Sequence, residues 1–281
     1  MVKKTISLIL ALTMILALSV QSFAVEETAS IEEMNTFLID RGYPEHYLKS
    51  LIDIQVERLY DMVVKEDAYF YGIEKGNQIF QEPAESRISA IPESELDFDI
   101  LLSCTTESIN NVQYVSQLIV NVDYEWTKLP SIRQDDGITV NWDSSYFNFD
   151  SRTAEFKAYD YAKDADGNWL TYKSYSTPVE AELGGLGYIT DISYKDIYTG
   201  ITRPAIGLRG SASFKLEPAV TMKYIPEFPN VISSQISANY VHNARVPNFG
   251  INFSTTNMGV TITNSTLAYG MAKTATFKFS V

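Results

Sequence analysis

The chain has 281 residues, with 35 acidic against 22 basic side chains and a formal net charge of −13. That balance excludes charge-driven attraction to nucleic acid or to anionic lipid headgroups. A single cysteine, Cys104, excludes an intramolecular disulfide, and two histidines, His46 and His242, leave few routes to histidine chemistry.

Met1 to Ala24 reads as a cleavable export signal. Lys3 and Lys4 give a positive start, and Ser22 and Ala24 are the small residues a signal peptidase accepts. The apolar run Ile6 to Val20 is shorter than the ~20 residues a spanning helix needs. The expectation is a secreted or cell-surface protein. Without paired cysteines it fits a bacterial export route and is held together by core burial.

Residues 25–81 read as a small helical unit. Ser30 and Glu33 have the spacing of a capping box, and Ile31, Met34, Phe37 and Leu38 follow helical period. Gly42 suits the left-handed position after that helix. Pro44 suits the first turn of a second helix, whose apolar face is Tyr47, Leu48, Leu51 and Ile52. Leu59, Tyr60 and Val63 continue into a third. The unit is too small to be very stable alone, so it is expected to pack on the remainder or on a partner. Residues 82–92, with Pro83 and Pro92, read as a linker.

From residue 93 to 281 the period becomes two. Leu96, Phe98, Ile100 and Leu102 alternate with polar residues. So do Leu118, Val120, Val122, Tyr124 and Trp126, and then Leu208 to Leu216, Ile236 to Tyr240 and Ala275 to Phe279. Such alternation predicts antiparallel sheets with one wet face. A hairpin centred on Asp166-Gly167 would pair Asp164 with Trp169, Tyr161 with Tyr172 and Asp160 with Lys173. Gly184-Gly185-Leu186-Gly187 reads as a flexible loop. The predicted fold is mainly β. It is an antiparallel β-sandwich or elongated β-structure of roughly ten strands, preceded by a small N-terminal helical segment.

Catalytic motifs are not found. There is no Gly-x-Ser-x-Gly elbow, no Ser-x-x-Lys pair and no His-Glu-x-x-His. Cys104 continues an apolar alternation and reads as a small buried hydrophobe. His46 reads as a solvated helix residue and His242 as a strand-end or half-buried one. Asp164-Ala165-Asp166-Gly167 resembles the core of an EF-hand loop, but the carboxylates of positions 1 and 12 are missing. A surface calcium site at Asp160, Asp164 and Asp166 is therefore the lesser reading beside the hairpin. Glu125 beside Trp126, and Asp143 beside Trp142, have the composition of a sugar cleft, with core tryptophans as the plainer reading. No catalytic residue and no cofactor is assigned.

Charge is distributed unevenly. Residues 25–100 hold 18 acids against 6 bases, a net of −12, whereas residues 218–281 hold one acid against four bases, a net of +3. The neutral polar strand faces after Pro218 therefore read as the contact surface. The function expected is an exported, non-catalytic β-sandwich binding or adhesion module, with a glycan, a peptide or another surface protein as partner. A pore-forming or membrane-perturbing protein is the alternative, and a carboxylate-based glycoside hydrolase the third reading.

Overall fold

The structure is a computed structural model that describes residues 29–74, 88–149, 155–182, 184–195, 199, 201–224, 231–243, 250–254, 259–263 and 268–281. The predicted export signal and most of the predicted linker lie outside the described residues.

Three helices open the described chain: α1 (Ile31–Asp40), α2 (Glu45–Leu48) and α3 (Asp53–Glu66). The capping box of α1 forms as predicted. The Glu33 amide donates to Ser30 Oγ at 3.3 Å, and the Ser30 amide donates to Glu33 Oε2 at 2.8 Å. Gly42 takes φ +94° after the helix. Pro44 is the N-cap of α2 rather than a first-turn residue. The helical unit ends earlier than expected, because the chain enters a strand at Tyr69.

Two sheets form the remainder. Sheet I runs β1 (Tyr69–Glu74), β3 (Leu96–Ile109), β4 (Val112–Trp126), β11 (Gly207–Pro218), β7 (Phe156–Lys163) and β8 (Trp169–Tyr175), with β6 (Phe147–Asn148) against β11. Sheet II runs β2 (Ile88–Ala90), β15 (Ala268–Ser280), β12 (Val231–Asn243), β5 (Asp135–Trp142), β10 (Gly185–Asp191) and β9 (Glu180–Glu182). β13 (Gly250–Ser254) and β14 (Gly259–Thr263) pair with each other. Among the described residues every strand pair is antiparallel except β2 with β15. The protein is thus mainly β, in two antiparallel sheets.

The alternation in sequence becomes the core. Leu96, Phe98, Ile100, Leu102, Val120, Val122 and Phe214 face Ile138, Val140, Trp142, Ile236, Phe277 and Phe279 in one buried cluster. Cys104 belongs to it, and burial pushes its thiol up to about 12. Trp142 and Trp126 are both buried with it.

The β3–β4 hairpin turns at Asn110 and Asn111, both at positive φ (52° and 63°). Two such residues match the right-handed twist of the flanking strands.

Three expectations are corrected. The β7–β8 hairpin exists, but a bulge after Asp160 shifts its register. Asp160 opposes Lys173 as predicted, while Tyr161 opposes Thr171 and Lys163 opposes Trp169. Asp164 Oδ1 accepts from the amides of Asp166 and Asn168, which sets a longer turn than two residues. The stretch after Gly184 is not a flexible loop. Gly185 to Asp191 is a strand paired with β5, and a Cβ on Gly185 would come within 2.7 Å of Asn141 Oδ1. Finally, the outer face of sheet II is not an open polar surface at its centre, since Thr139, Asn141, Val241 and Thr274 are buried there.

The helical unit covers the outer face of sheet I. Its apolar side chains form a separate cluster that includes Leu38, Tyr43, Leu48 and Val63, with Leu101 contributed by β3. Polar ties fix it to the sheet. Tyr43 Oη lies 2.7 Å from Ser103 Oγ, and Tyr47 Oη donates to Asp123 at 2.8 Å. An Arg209 amino group donates to the Ser50 carbonyl at 2.8 Å.

Candidate functional site

One end of the sandwich gathers the ends of β4, β12, β5, β15 and β10. In sheet II, register pairs Thr190 with Asp136 and His242 with Tyr269, and the Asp136–His242 contact joins the two pairs across four strands. The facing rungs of sheet I bring Trp126 opposite Leu208 and Leu96, and Tyr124 opposite Gly210 and Phe98. Polar side chains here sit at positions whose neighbours two residues away are core hydrophobes.

Two buried carboxylates organise this end. Asp136 is fully buried and accepts from Tyr240 Oη at 2.5 Å; its Oδ1 lies 2.9 Å from His242 Nδ1. Trp126 Nε1 donates to Tyr240 Oη at 3.0 Å, which completes a chain from indole to carboxylate. Asp160 accepts from Tyr124 Oη at 3.1 Å, from Tyr175 Oη at 2.6 Å, from the Asp191 amide at 2.9 Å and from the Thr190 hydroxyl. Burial pushes the Asp160 carboxyl up to about 6, although these donors favour its charged form. Burial also holds the phenols of Tyr124 and Tyr240 well above their ordinary value.

Gly210 makes room for this network. Tyr124 lies so close across β11 that only a residue without a Cβ fits beside it.

The network backs a cavity of about 550 Å³ at the mouth of the sandwich. Trp126, His242 and Tyr269 line it on one side, and Ile91, Leu129 and Ile132 on the other. Glu95 and Lys128, paired at 2.7 Å, stand at its polar part. The His242 ring meets Trp126 edge to face at 5.1 Å and stacks on Tyr269 at 6.3 Å. Asp136 engages the Nδ1 side of the His242 ring, which leaves Nε2 as the second polar atom of the imidazole. Among the described residues, Asp136 is the hydrogen-bond partner recorded for His242. A fixed imidazole, two aromatic rings and an apolar wall can hold a ligand that offers both a flat apolar face and hydroxyl groups.

The sequence-predicted site residues are dispersed. Asp164 and Asp166 sit in the β7–β8 turn, whereas Asp160 points into the sandwich, so the three do not converge on a surface calcium site. Among the described residues no three His, Cys, Asp or Glu side chains gather in a way that could hold a metal. Asp160 and Lys173 oppose each other in the hairpin, but the ion pair of Lys173 is with Asp191 at 3.3 Å. Glu125 pairs with Arg209 at 2.8 Å, and Asp143 caps the Ser145 amide at 2.8 Å. His46 is exposed on α2. His242 lies at the end of β12, as one of the two readings had it, and is buried and paired rather than half-buried.

Asp136 and its bond to His242 were missed. A signal existed: Asp136 shares parity with Ile138, Val140 and Trp142, and Asp160 with Phe156, Ala158 and Ala162. A carboxylate on the apolar parity of a strand is buried with partners or breaks the strand.

No helix among the described residues is long and apolar enough to cross a membrane. No known family matches the chain, and no curated protein matches it. Among solved structures, the chain is similar to AvmM, which catalyses macrocyclization in alchivemycin A biosynthesis, with a TM-score of 0.29, 10% identity and 63% of this chain and 96% of that one covered. It is similar to a family 29 carbohydrate binding module, with a TM-score of 0.20, 10% identity and coverage of 46% and 82%. It is also similar to the collagen binding subdomain of the Enterococcus faecalis surface protein ACE, with a TM-score of 0.24, 9% identity and coverage of 56% and 86%.

Proposed function

We propose that this protein is an exported, non-catalytic binding module of the β-sandwich class that takes a glycan at the mouth of the sandwich. The observation that carries this is the cavity lined by Trp126, His242 and Tyr269, with Asp136 fixing the imidazole from behind. Sugar rings present apolar C–H faces to aromatic rings and hydroxyls to polar groups, and the cavity supplies both. Export follows from the sequence of Met1 to Ala24 and stands as an expectation.

The test is titration of the purified protein with neutral oligosaccharides, followed by calorimetry and by tryptophan emission. Tyr269→Ala removes one ring from the cavity wall while leaving the buried network in place. It should weaken binding about tenfold. A panel of glycans without a binder, together with a short apolar peptide that binds and competes at Tyr269, would move the assignment to peptide recognition.

A further inference from the structure

The two sides of the mouth differ from its base and its rim. On the aromatic side Trp126 and His242 are each 5% exposed, so they meet an occupant only at the base. Tyr269 is half-buried and is the ring that stands open. On the other side Leu129 and Pro130 are half-buried and Ile132 is 43% exposed. Both walls are apolar where they can be touched.

Polar groups lie at the two ends of this slot. The His242 imidazole, held by Asp136, stands at the base. Ser131 and Lys128 are exposed at the rim, where Lys128 pairs with Glu95 at 2.7 Å. The frame is fixed by backbone ties. The Ile91 amide donates to the Gly270 carbonyl at 2.9 Å, the Thr127 amide to the Glu95 carbonyl at 3.1 Å, and the Thr127 hydroxyl to the Ser94 carbonyl at 2.8 Å. Pro92 and Pro130 stiffen the two segments further. The walls are therefore not free to part around an ill-fitting occupant.

Resting on the reading that the mouth takes a glycan, we propose that it selects neutral pyranose units whose ring hydroxyls are all equatorial, as in glucose and xylose, and rejects those with an axial hydroxyl, as in mannose and galactose. A ring with equatorial hydroxyls alone carries only C–H bonds on both faces, and its hydroxyls radiate in the plane of the ring. Between Tyr269 and the segment from Leu129 to Ile132 both faces meet apolar side chains, while the hydroxyls reach the base and the rim. An axial hydroxyl stands on one face. Whichever way the ring is turned, that hydroxyl loses its water against a ring face or an aliphatic wall, and burial without a partner is costly. The one carboxylate and the one ammonium of the lining, Glu95 and Lys128, pair with each other, so a charged sugar finds no free counter-charge there.

The probes are cellotriose, xylotriose and the β-1,4-linked trisaccharides of mannose and galactose, each titrated into the purified protein by calorimetry. Cellotriose and xylotriose should bind alike. The mannose and galactose trisaccharides should bind about tenfold or more weakly, as expected for one buried hydroxyl without a partner. Ile132→Ser and Leu129→Ser each place a hydroxyl on the aliphatic wall, and at least one of them should narrow that gap. Ile132 is exposed enough for its replacement to leave the fold intact. Equal or tighter binding of the mannose or galactose trisaccharide overturns the selection and leaves a glycan at the mouth. A gap unchanged in both serine variants does the same. Should none of the four bind while another neutral glycan does, the selection falls alone; should no glycan bind, both readings fall.

Discussion

Tyr124 occupies the space that any side chain at Gly210 would need. A Cβ built on Gly210 comes within 2.2 Å of a Tyr124 ring carbon and 2.7 Å of its hydroxyl oxygen. The same hydroxyl binds Asp160 and Thr190 inside the sandwich. Gly210→Ala must therefore displace the ring and break those bonds. The expected cost is about 2–4 kcal/mol, the sum of overpacking and a buried Tyr124 hydroxyl left without its partners. Urea unfolding measures it, and a variant within 0.5 kcal/mol of the parent, on the order of an ordinary surface change, would contradict this account of Gly210.

Stability should rise as pH falls from 7 to 5. Burial raises the carboxyls of Asp160 and Asp123 from an ordinary 3.8 to about 6. The folded state therefore binds these protons more tightly than the unfolded chain, and stability is gained as pH drops through 6 toward 4. The gain is about 2 kcal/mol at fully buried Asp160 and smaller at half-buried Asp123. Glu33, Glu45 and Glu155, held below their ordinary value by Ser30, Lys49 and Lys65, act in the opposite sense as pH falls further. Unfolding free energies at pH 7, 6 and 5 check the sign. Asp160→Asn should flatten the slope whatever it does to absolute stability.

Arg58 is the firmest tie between α3 and the far strands of sheet I. Its guanidinium donates to the Tyr161 hydroxyl and, at 3.2 Å, to Thr171 Oγ1, and it stacks over the Tyr159 ring at 3.5 Å. Arg58→Met keeps the aliphatic stem and removes all three contacts. A loss of about 1–2 kcal/mol is expected. Hydrogen exchange should accelerate in α3 well before it does in β4 or β11. Uniform acceleration across the protein would show that the helices and the sandwich open as one unit.

Cys104 should resist thiol reagents in the native state. Its side chain is fully buried, and its thiol is pushed up to about 12, so little thiolate exists at neutral pH. Labelling with a disulfide reagent should appear only after denaturation. Rapid labelling of native protein would mean that β3 opens locally.

Much of this architecture is legible in the residues themselves. Ser30 and Glu33 mark a helix start, Gly42 a helix end, and the parity of β3, β4, β11 and β12 the core face. What parity could not show is which wet face is covered. Asn121 and Asp123 have the spacing of solvent-facing residues, and only docking of α2 and α3 turns that face inward. Nor could local reading join His242 to Asp136, which are 106 residues apart. Their contact depends on β12 lying next to β5, a choice made by sheet order rather than by either strand. The glycines after Gly184 misled for a related reason. In a central strand they permit close approach to Asn141, whereas in isolation they resemble a loop.

The place of β15 sets a schedule for folding. β15 is not at an edge but sits between β2 and β12. Tyr71, on the first strand of the other sheet, donates its hydroxyl to the Lys278 carbonyl at 3.1 Å and accepts from the Lys278 amide at 2.8 Å. Neither sheet II nor its seam with β1 can close until β15 is in place. Contacts spanning 207 residues are the slowest to find. Until β15 arrives, the sandwich thus stays open along its middle and cannot lock.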